Sequence, residues 1–373
     1  MGYTAIQHIV KETKRRVSMT DLPYEEEYRG QLKHLGYKEK DIVKEAFLRL
    51  DWNLGSARIL CLLQESNILT ASELILSLDS TERIQQVMND LLETEYSLLC
   101  HIIKFAYQDN GLSQTLMKVL QDSFRALIAD LKDDPNVIPR NYLQPIRMQL
   151  LPNENEWLKN EHLRLVLTTE EPFDLDEAIG RQEQWREEMH KVTESILGGL
   201  IVELIDNKAQ VIGLLREYVQ KSHPFSIKYA LYLLNAMSKD TKESEDKLLK
   251  EFHKDVFRWV VDTGLMSQLQ LLLLFARETC SSNCITMGTY SAWYKQTIGA
   301  MTYSVKKDQF IRTMEMLTAL LPLETNLDVL DVHSTIAISA PAKCNEYVLN
   351  YKQLCRAHIA QLKPPDCIVD LDD

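Results

Sequence analysis

The chain has 373 residues, of which 45% are hydrophobic and 26% are charged, and its formal net charge at pH 7 is -12. The composition is that of a globular protein, and the length exceeds what one hydrophobic core usually serves, so we expect two or more packed units. The negative charge argues against a general nucleic-acid-binding surface, because such surfaces need lysines and arginines to neutralise phosphates.

Glycine and proline are scarce, with 12 and 11 residues respectively. Few turn-forming residues indicate long elements, and we therefore predict an all-α fold. The seven cysteines form no disulfide or zinc framework, which favours reduced thiols and a cytoplasmic or nuclear protein. The polar and basic residues near the start predict no signal peptide. The longest apolar run, Leu271 to Ala276, is too short for a bilayer and predicts a buried core helix.

The chain begins with a predicted lead-in segment, residues 1–23, whose helix runs from Thr4 to Val17. Three short helical patterns follow within residues 24–66, over Glu25 to Leu35, Asp41 to Leu50 and Gly55 to Gln64. Asp41 and Asn53 are candidate N-caps for the second and third of these helices. Gly36 is a candidate for the left-handed residue that ends the first.

The sequence of these three helices carries a known pattern. Its parts are Leu35-Gly36-Tyr37, Ala46-Phe47, Asn53-Leu54, Ala57 and Cys61-Leu62-Leu63. In these positions the segment resembles the ubiquitin-associated (UBA) domain family and, more loosely, the CUE fold. The resemblance implies a three-helix bundle whose loop and third helix form a ubiquitin-binding surface, which here would consist of Leu35, Gly36, Tyr37, Leu62 and Leu63.

A helical extension is predicted for residues 67–132, where Thr70 and Glu73 have the spacing of a capping box. Residues 133–155 contain four prolines and no sustained helical pattern, which indicates a linker. The successive helical patterns of residues 156–362, which are joined by short connections, predict an irregular antiparallel helical array. Within the array, Asp174 is expected to open a long helix, Gly198-Gly199 to allow a kink or close helix packing, and Thr335 to Ile338 to be extended.

The acidic tail, residues 363–373, ends in a short β-prone apolar stretch flanked by aspartates. It resembles a SUMO-interacting motif, with Ile368, Val369, Asp370 and Leu371 at the matching positions. That resemblance implies pairing with a sheet edge of SUMO.

Catalytic patterns are weak throughout the sequence. Glu187 and His190 share a helix face, as do Cys355 and His358, but neither pair has the additional ligands or the oxyanion site that its chemistry would require. We therefore predict no enzymatic activity, no catalytic residues, no metal and no cofactor.

These observations predict a non-enzymatic helical scaffold that binds ubiquitin or another protein through the UBA-like module and further helical partners through the array. SUMO is a further expected partner, whereas a membrane and nucleic acid are not expected. Two alternatives remain open. The chain is the regulatory or substrate-adaptor region of a ubiquitin ligase whose catalytic part lies elsewhere, or its UBA-like unit is a docking platform without ubiquitin binding.

Overall fold

A computed structural model of the chain describes residues 3–17, 25–53, 55–108, 113–134, 143–170, 174–239, 246–280 and 287–363. Every regular element in these ranges is helical, which confirms the predicted all-α class. None of the described helices is both long and apolar enough to cross a membrane. The predicted SUMO-interacting residues, Ile368, Val369, Asp370 and Leu371, lie outside the described ranges.

The chain divides into two compact units, Met1–His162 and Leu163–Asp373. The finer division into six segments stays a prediction.

The first unit is built from short and medium helices. They are α1 (Tyr3–Val17), α2 (Glu25–Lys33), α3 (Tyr37–Leu48), α4 (Ser56–Glu65), α5 (Ala71–Ser77), α6 (Thr81–Thr94), α7 (Tyr96–Tyr107), α8 (Ser113–Asp133), α9 (Leu143–Arg147) and α10 (Pro152–Thr168), which reaches past the boundary of the unit. The predicted capping box opens α5, where the Thr70 side chain accepts from the Glu73 amide and Glu73 accepts from the Thr70 amide.

The ends of the three short helices differ from the prediction. Helix α3 begins at Tyr37 rather than at Asp41, because the Glu39 carboxylate accepts the free Gly36 amide at 2.7 Å and starts the helix earlier. Gly36 has φ -74, so it is an extended N-cap residue rather than a left-handed helix end. Asn53 accepts from the Gly55 amide at 3.0 Å in the turn before α4 and does not cap that helix.

Helices α2 to α4 are part of a larger body. Helix α1 packs against α3 and α4, and α4 also contacts α2 and α6. The Thr13 hydroxyl of α1 is hydrogen bonded to the Tyr28 hydroxyl of α2, and the Arg16 guanidinium lies 5.0 Å from the Tyr28 ring centroid. Because neighbours cover α4 on several sides, its apolar residues serve the core of the unit.

The second unit contains longer helices. They are α11 (Leu175–Val192), α12 (Ile196–Leu204), α13 (Lys208–Lys221), α14 (Ile227–Lys239), α15 (Asp246–Thr263), α16 (Met266–Thr279), α17 (Tyr290–Tyr294), α18 (Lys307–Leu320), α19 (Leu327–Thr335) and α20 (Asn345–Leu362). A π-helical turn, Lys295–Gly299, continues α17. Asp174 caps α11 as predicted, by accepting from the Asp176 amide at 3.1 Å. Of the stretch Thr335 to Ile338 that was expected to be extended, Thr335 ends α19 and Ile336 has an extended backbone (φ -63, ψ 129), but no strand forms there.

Helix α16 is the centre of the second unit and confirms the predicted core helix. Every residue from Gln268 to Thr279 is buried, and the helix contacts α11, α14, α15, α17 and α18. Its buried polar residues are paired. The Glu278 carboxylate accepts from Gln182 at 3.1 Å and from Asn235, and the Arg277 guanidinium forms an ion pair with Glu324. Pairing offsets the cost of burying these groups.

The long helix predicted to begin at Asp174 is divided in two at residues 193–195, and Gly198 and Gly199 lie in the first turn of the second helix. Helix α11 ends at Val192, and α12 starts at Ile196 with Ser195 as its cap. A Cβ atom at Gly198 would lie 2.4 Å from the Val192 carbonyl oxygen, whereas one at Gly199 would meet nothing within 4 Å. Only Gly198 is therefore required for the close approach.

The two glycines provide a matched pair of variants. We expect Gly198→Ala to lower the free energy of unfolding by about 1–3 kcal/mol, because the backbone must shift to admit the methyl group. We expect Gly199→Ala to be neutral or to stabilise the protein by up to about 1 kcal/mol, because alanine has a higher helix propensity than glycine and this helix position is exposed. Urea unfolding of both variants measures the difference, and equal effects would contradict the described approach.

Both units bury uncharged histidines. His162 lies 4.5 Å from the Phe124 ring and donates through Nδ1 to the Leu158 carbonyl at 2.8 Å, and burial lowers its pKa to about 4. His333 is hydrogen bonded at 2.9 Å to both the Tyr290 and the Tyr351 hydroxyls, and burial lowers its pKa to about 3.

These histidines predict that stability falls as the solution is acidified. The unfolded chain takes up a proton near pH 6.5, whereas the folded chain does not, so the stabilisation is complete above that pH and is lost below it. Between about pH 7.5 and about pH 5.5, where carboxylates stay ionised, each histidine should cost about 1.4 kcal/mol. Urea unfolding across this range measures the loss.

His162→Phe keeps the ring and removes the titrating group, so it should lessen the acid sensitivity of the first unit. The exposed His190→Gln variant is the control, because it removes an imidazole that is not buried, and the acid-induced loss of stability should persist in it. A stability that is constant between these two pH values in the unsubstituted protein would contradict the assignment.

Candidate protein-binding cleft

The second unit contains a cleft of about 550 Å³ between α15, α17 with its π-helical turn, and α18. This volume lies in the range of typical binding pockets. The residues that line the cleft are Lys250, His253, Lys254, Phe257, Arg258, Val261, Asp262, Met287, Trp293, Gln296, Thr297, Ser304, Val305 and Gln309.

Helix α15 forms one wall of the cleft, because one of its faces packs on the core and another lines the cleft. Leu249, Phe252, Val256 and Val260 follow helical spacing and are buried in the core. Phe257, which is half-buried, and Val261, which is buried, lie beside that stripe and line the cleft. The helix thus packs on the unit with one face and presents a second, partly apolar face to the opening.

The exposed part of this wall is basic. Lys250, Lys254 and Arg258 recur every four residues along α15, so they share one side of the helix and extend about 12 Å along it. Within the described part of the chain, neither lysine forms an ion pair. Arg258 lies 3.7 Å from Asp255, which is also paired with Arg216 at 2.9 Å.

The opposite wall is polar and uncharged. Gln296, Thr297 and Ser304 contribute amide and hydroxyl groups there. Asp262 is the acidic residue of the lining, and its carboxylate accepts from Gln309 at 3.5 Å. Positive charge therefore prevails in the cleft, although the whole chain carries a net charge of -12.

Trp293 and His253 form the deep part of the lining. Trp293 is stacked on Tyr290 at 5.5 Å and meets the His253 ring edge to face at 5.9 Å. The Thr279 hydroxyl donates to the Phe275 carbonyl at 2.8 Å, so it accepts from His253 Nε2 at 3.1 Å. Burial lowers the pKa of His253 to about 3, and its ring is therefore neutral and fixed in one tautomer.

A second concavity, of about 430 Å³, lies beside α1 and α3 in the first unit. Its lining combines Lys14 and Arg49 with Asp41 and Glu45. Because this lining carries two positive and two negative side chains, it favours neither an acidic nor a basic ligand. The cleft of the second unit is therefore the better-defined candidate.

The five residues predicted to bind ubiquitin are only partly accessible. Tyr37 is 82% exposed and Gly36 is exposed, but Leu35, Leu62 and Leu63 are 6%, 1% and 0% exposed. The Lys40 ammonium donates to the Ser66 carbonyl at 2.7 Å, so the start of α3 and the end of α4 are adjacent. The structure therefore places the loop before α3 next to the end of α4, but buries the leucines of both segments in the core of the unit.

The weak catalytic pairs show no activated group. Glu187 and His190 are both exposed on α11. Burial raises the pKa of the Cys355 thiol to about 11, and His358 is hydrogen bonded through Nε2 to the Glu324 carbonyl at 2.8 Å. The described residues contain no group of three or more histidine, cysteine or acidic side chains that could hold a metal ion.

Sequence reasoning did not identify the cleft. The basic residues of α15 have the spacing of an ordinary solvated helix face. One available signal was the pair Phe257 and Val261, which lies outside the main apolar stripe of the helix. An apolar pair beside a basic row indicates a second packing or binding surface.

Comparison with known proteins corrects the UBA assignment. No curated protein matches the chain. A family match extends over residues 15–364 and is to the family described as Fanconi anaemia group A protein N terminus. No UBA or CUE family matches, so the UBA prediction for residues 24–66 is wrong. Its motif was short, and the leucines on which it depended are core residues of the first unit. The chain belongs to the Fanconi anaemia group A N-terminal family.

Proposed function

We propose that the chain is a helical scaffold that binds other protein subunits of a DNA repair complex, in the nucleus or the cytoplasm. The observation that carries this proposal is the family match, which extends over most of the chain. The architecture agrees with such a role, because packed helices offer long and rigid surfaces for other proteins.

The cleft is the proposed docking surface on this scaffold. It joins an apolar lining of Phe257, Val261, Met287 and Trp293 to a row of exposed cations. Protein interfaces commonly combine a well-packed apolar centre with a polar rim. The buried contacts of Trp293 hold the lining in place before a partner arrives, which reduces the entropy lost on binding.

The remaining expectations stay predictions. These are the absence of enzymatic activity, the membership of a ubiquitin ligase and the SUMO contact of the tail. The first agrees with a scaffold role, because a scaffold needs surfaces rather than an activated group.

The scaffold proposal is tested by depleting the whole chain from cells and examining the proposed complex. The complex is isolated from cells through another of its subunits, with the chain present or absent, and its composition is measured by quantitative mass spectrometry. We expect the loss of at least one other subunit in proportion to the loss of the chain. An unchanged composition would contradict a scaffold role.

A further inference from the structure

We infer that the cleft of the second unit binds an acidic, amphipathic segment of a partner protein. This inference rests on the proposed scaffold function and names the chemistry of the partner that the cleft selects. The segment would place one or two large apolar side chains on the lining and its carboxylates along the basic row of α15.

The charges of the cleft specify an acidic ligand. Lys250, Lys254 and Arg258 are spaced by four residues, so successive charges lie about 6 Å apart. Carboxylates at the same spacing on a partner helix can face all three. A basic ligand would be repelled by this row, whereas an acidic ligand would find two lysines that form no ion pair with described residues.

The apolar lining provides the anchor. Val261, Met287 and Trp293 are 6%, 8% and 5% exposed, and Phe257 is half-buried. These side chains surround a space of about 550 Å³, which is large enough for aliphatic or aromatic side chains. Burial of such anchors usually supplies most of the binding energy, while rim charges set the association rate and the choice of partner.

The same features favour a protein over a nucleic acid. Binding of single strands needs exposed ring faces on which bases stack. Trp293 is only 5% exposed, and one of its faces is stacked on Tyr290. Three cations within a chain of net charge -12 also give few phosphate contacts.

The experiment uses the whole purified chain and a fluorescent helical peptide of about twelve residues, with leucines on one face and glutamates repeated every four residues. Fluorescence anisotropy measures its affinity. A second peptide has glutamine in place of each glutamate, and a labelled single-stranded oligonucleotide tests the alternative ligand. We expect the glutamate peptide to bind at least about tenfold more tightly than the glutamine peptide, with the difference shrinking at high salt.

Charge reversal locates the binding site. The double variant Lys250→Glu, Lys254→Glu should weaken binding of the glutamate peptide by at least about tenfold, because attraction becomes repulsion. Lys191→Glu changes an exposed lysine on α11 outside the cleft and should leave binding unchanged. Phe257→Ala should weaken both peptides, and circular dichroism confirms that each variant is folded.

Three results would overturn the inference. They are equal binding of the two peptides, unchanged binding by the double variant, and tighter binding of the oligonucleotide than of the glutamate peptide. None of them bears on the composition of the complex. A cleft that fails this test can therefore be told apart from a chain that is not a scaffold.

Discussion

The second unit depends on how helix α16 buries its charged end. Arg277, Glu278 and Thr279 follow one another at a place where every side of the helix is covered. An unpaired charge there would cost several kcal/mol, so each group needs a partner from a different element. Glu278 is met by Gln182 and Arg186 of α11 and by Asn235 of α14, and Arg277 by Glu324 beyond α18.

This constraint extends to the cleft through Thr279. Its hydroxyl accepts from His253 of α15, and the His253 ring meets Trp293 of α17. The position of α16 thereby determines where two walls of the cleft lie. Trp293 is held in the lining by its ring contacts with His253 and Tyr290, and moving it would break both contacts. A preformed surface of this kind suits a scaffold, whose partners bind without reorganising it.

Local patterns in the sequence predicted local structure well. The capping box at Thr70, the cap at Asp174 and the buried run from Leu271 to Ala276 depend on neighbouring residues, and the structure contains all three. Gly36 was assigned the wrong conformation because the competing cap, Glu39, also lies nearby and offers the stronger interaction. Short-range rules succeed when one local interaction prevails.

Surfaces were harder to predict than helices. Leu62 and Leu63 have a pattern that is typical of a ubiquitin-binding surface, but α1, α2 and α6 pack around the helix that carries them. The basic row of α15 is the converse case. Its sequence is typical of a solvated helix face, but in the structure α17 and α18 form a cleft beside it. In both cases the decisive contacts come from distant parts of the sequence. Whether a helix face is buried or open is a tertiary property that periodicity alone does not contain.

We infer that an acidic partner segment occupies the cleft of the second unit. Hydrogen–deuterium exchange of the whole chain, with and without a saturating acidic amphipathic peptide, tests this claim most directly. We expect slower exchange in α15 and in residues 304–310, with little change in α2 to α4. Protection confined to the first unit, or none at a peptide concentration that gives saturated anisotropy, would contradict it.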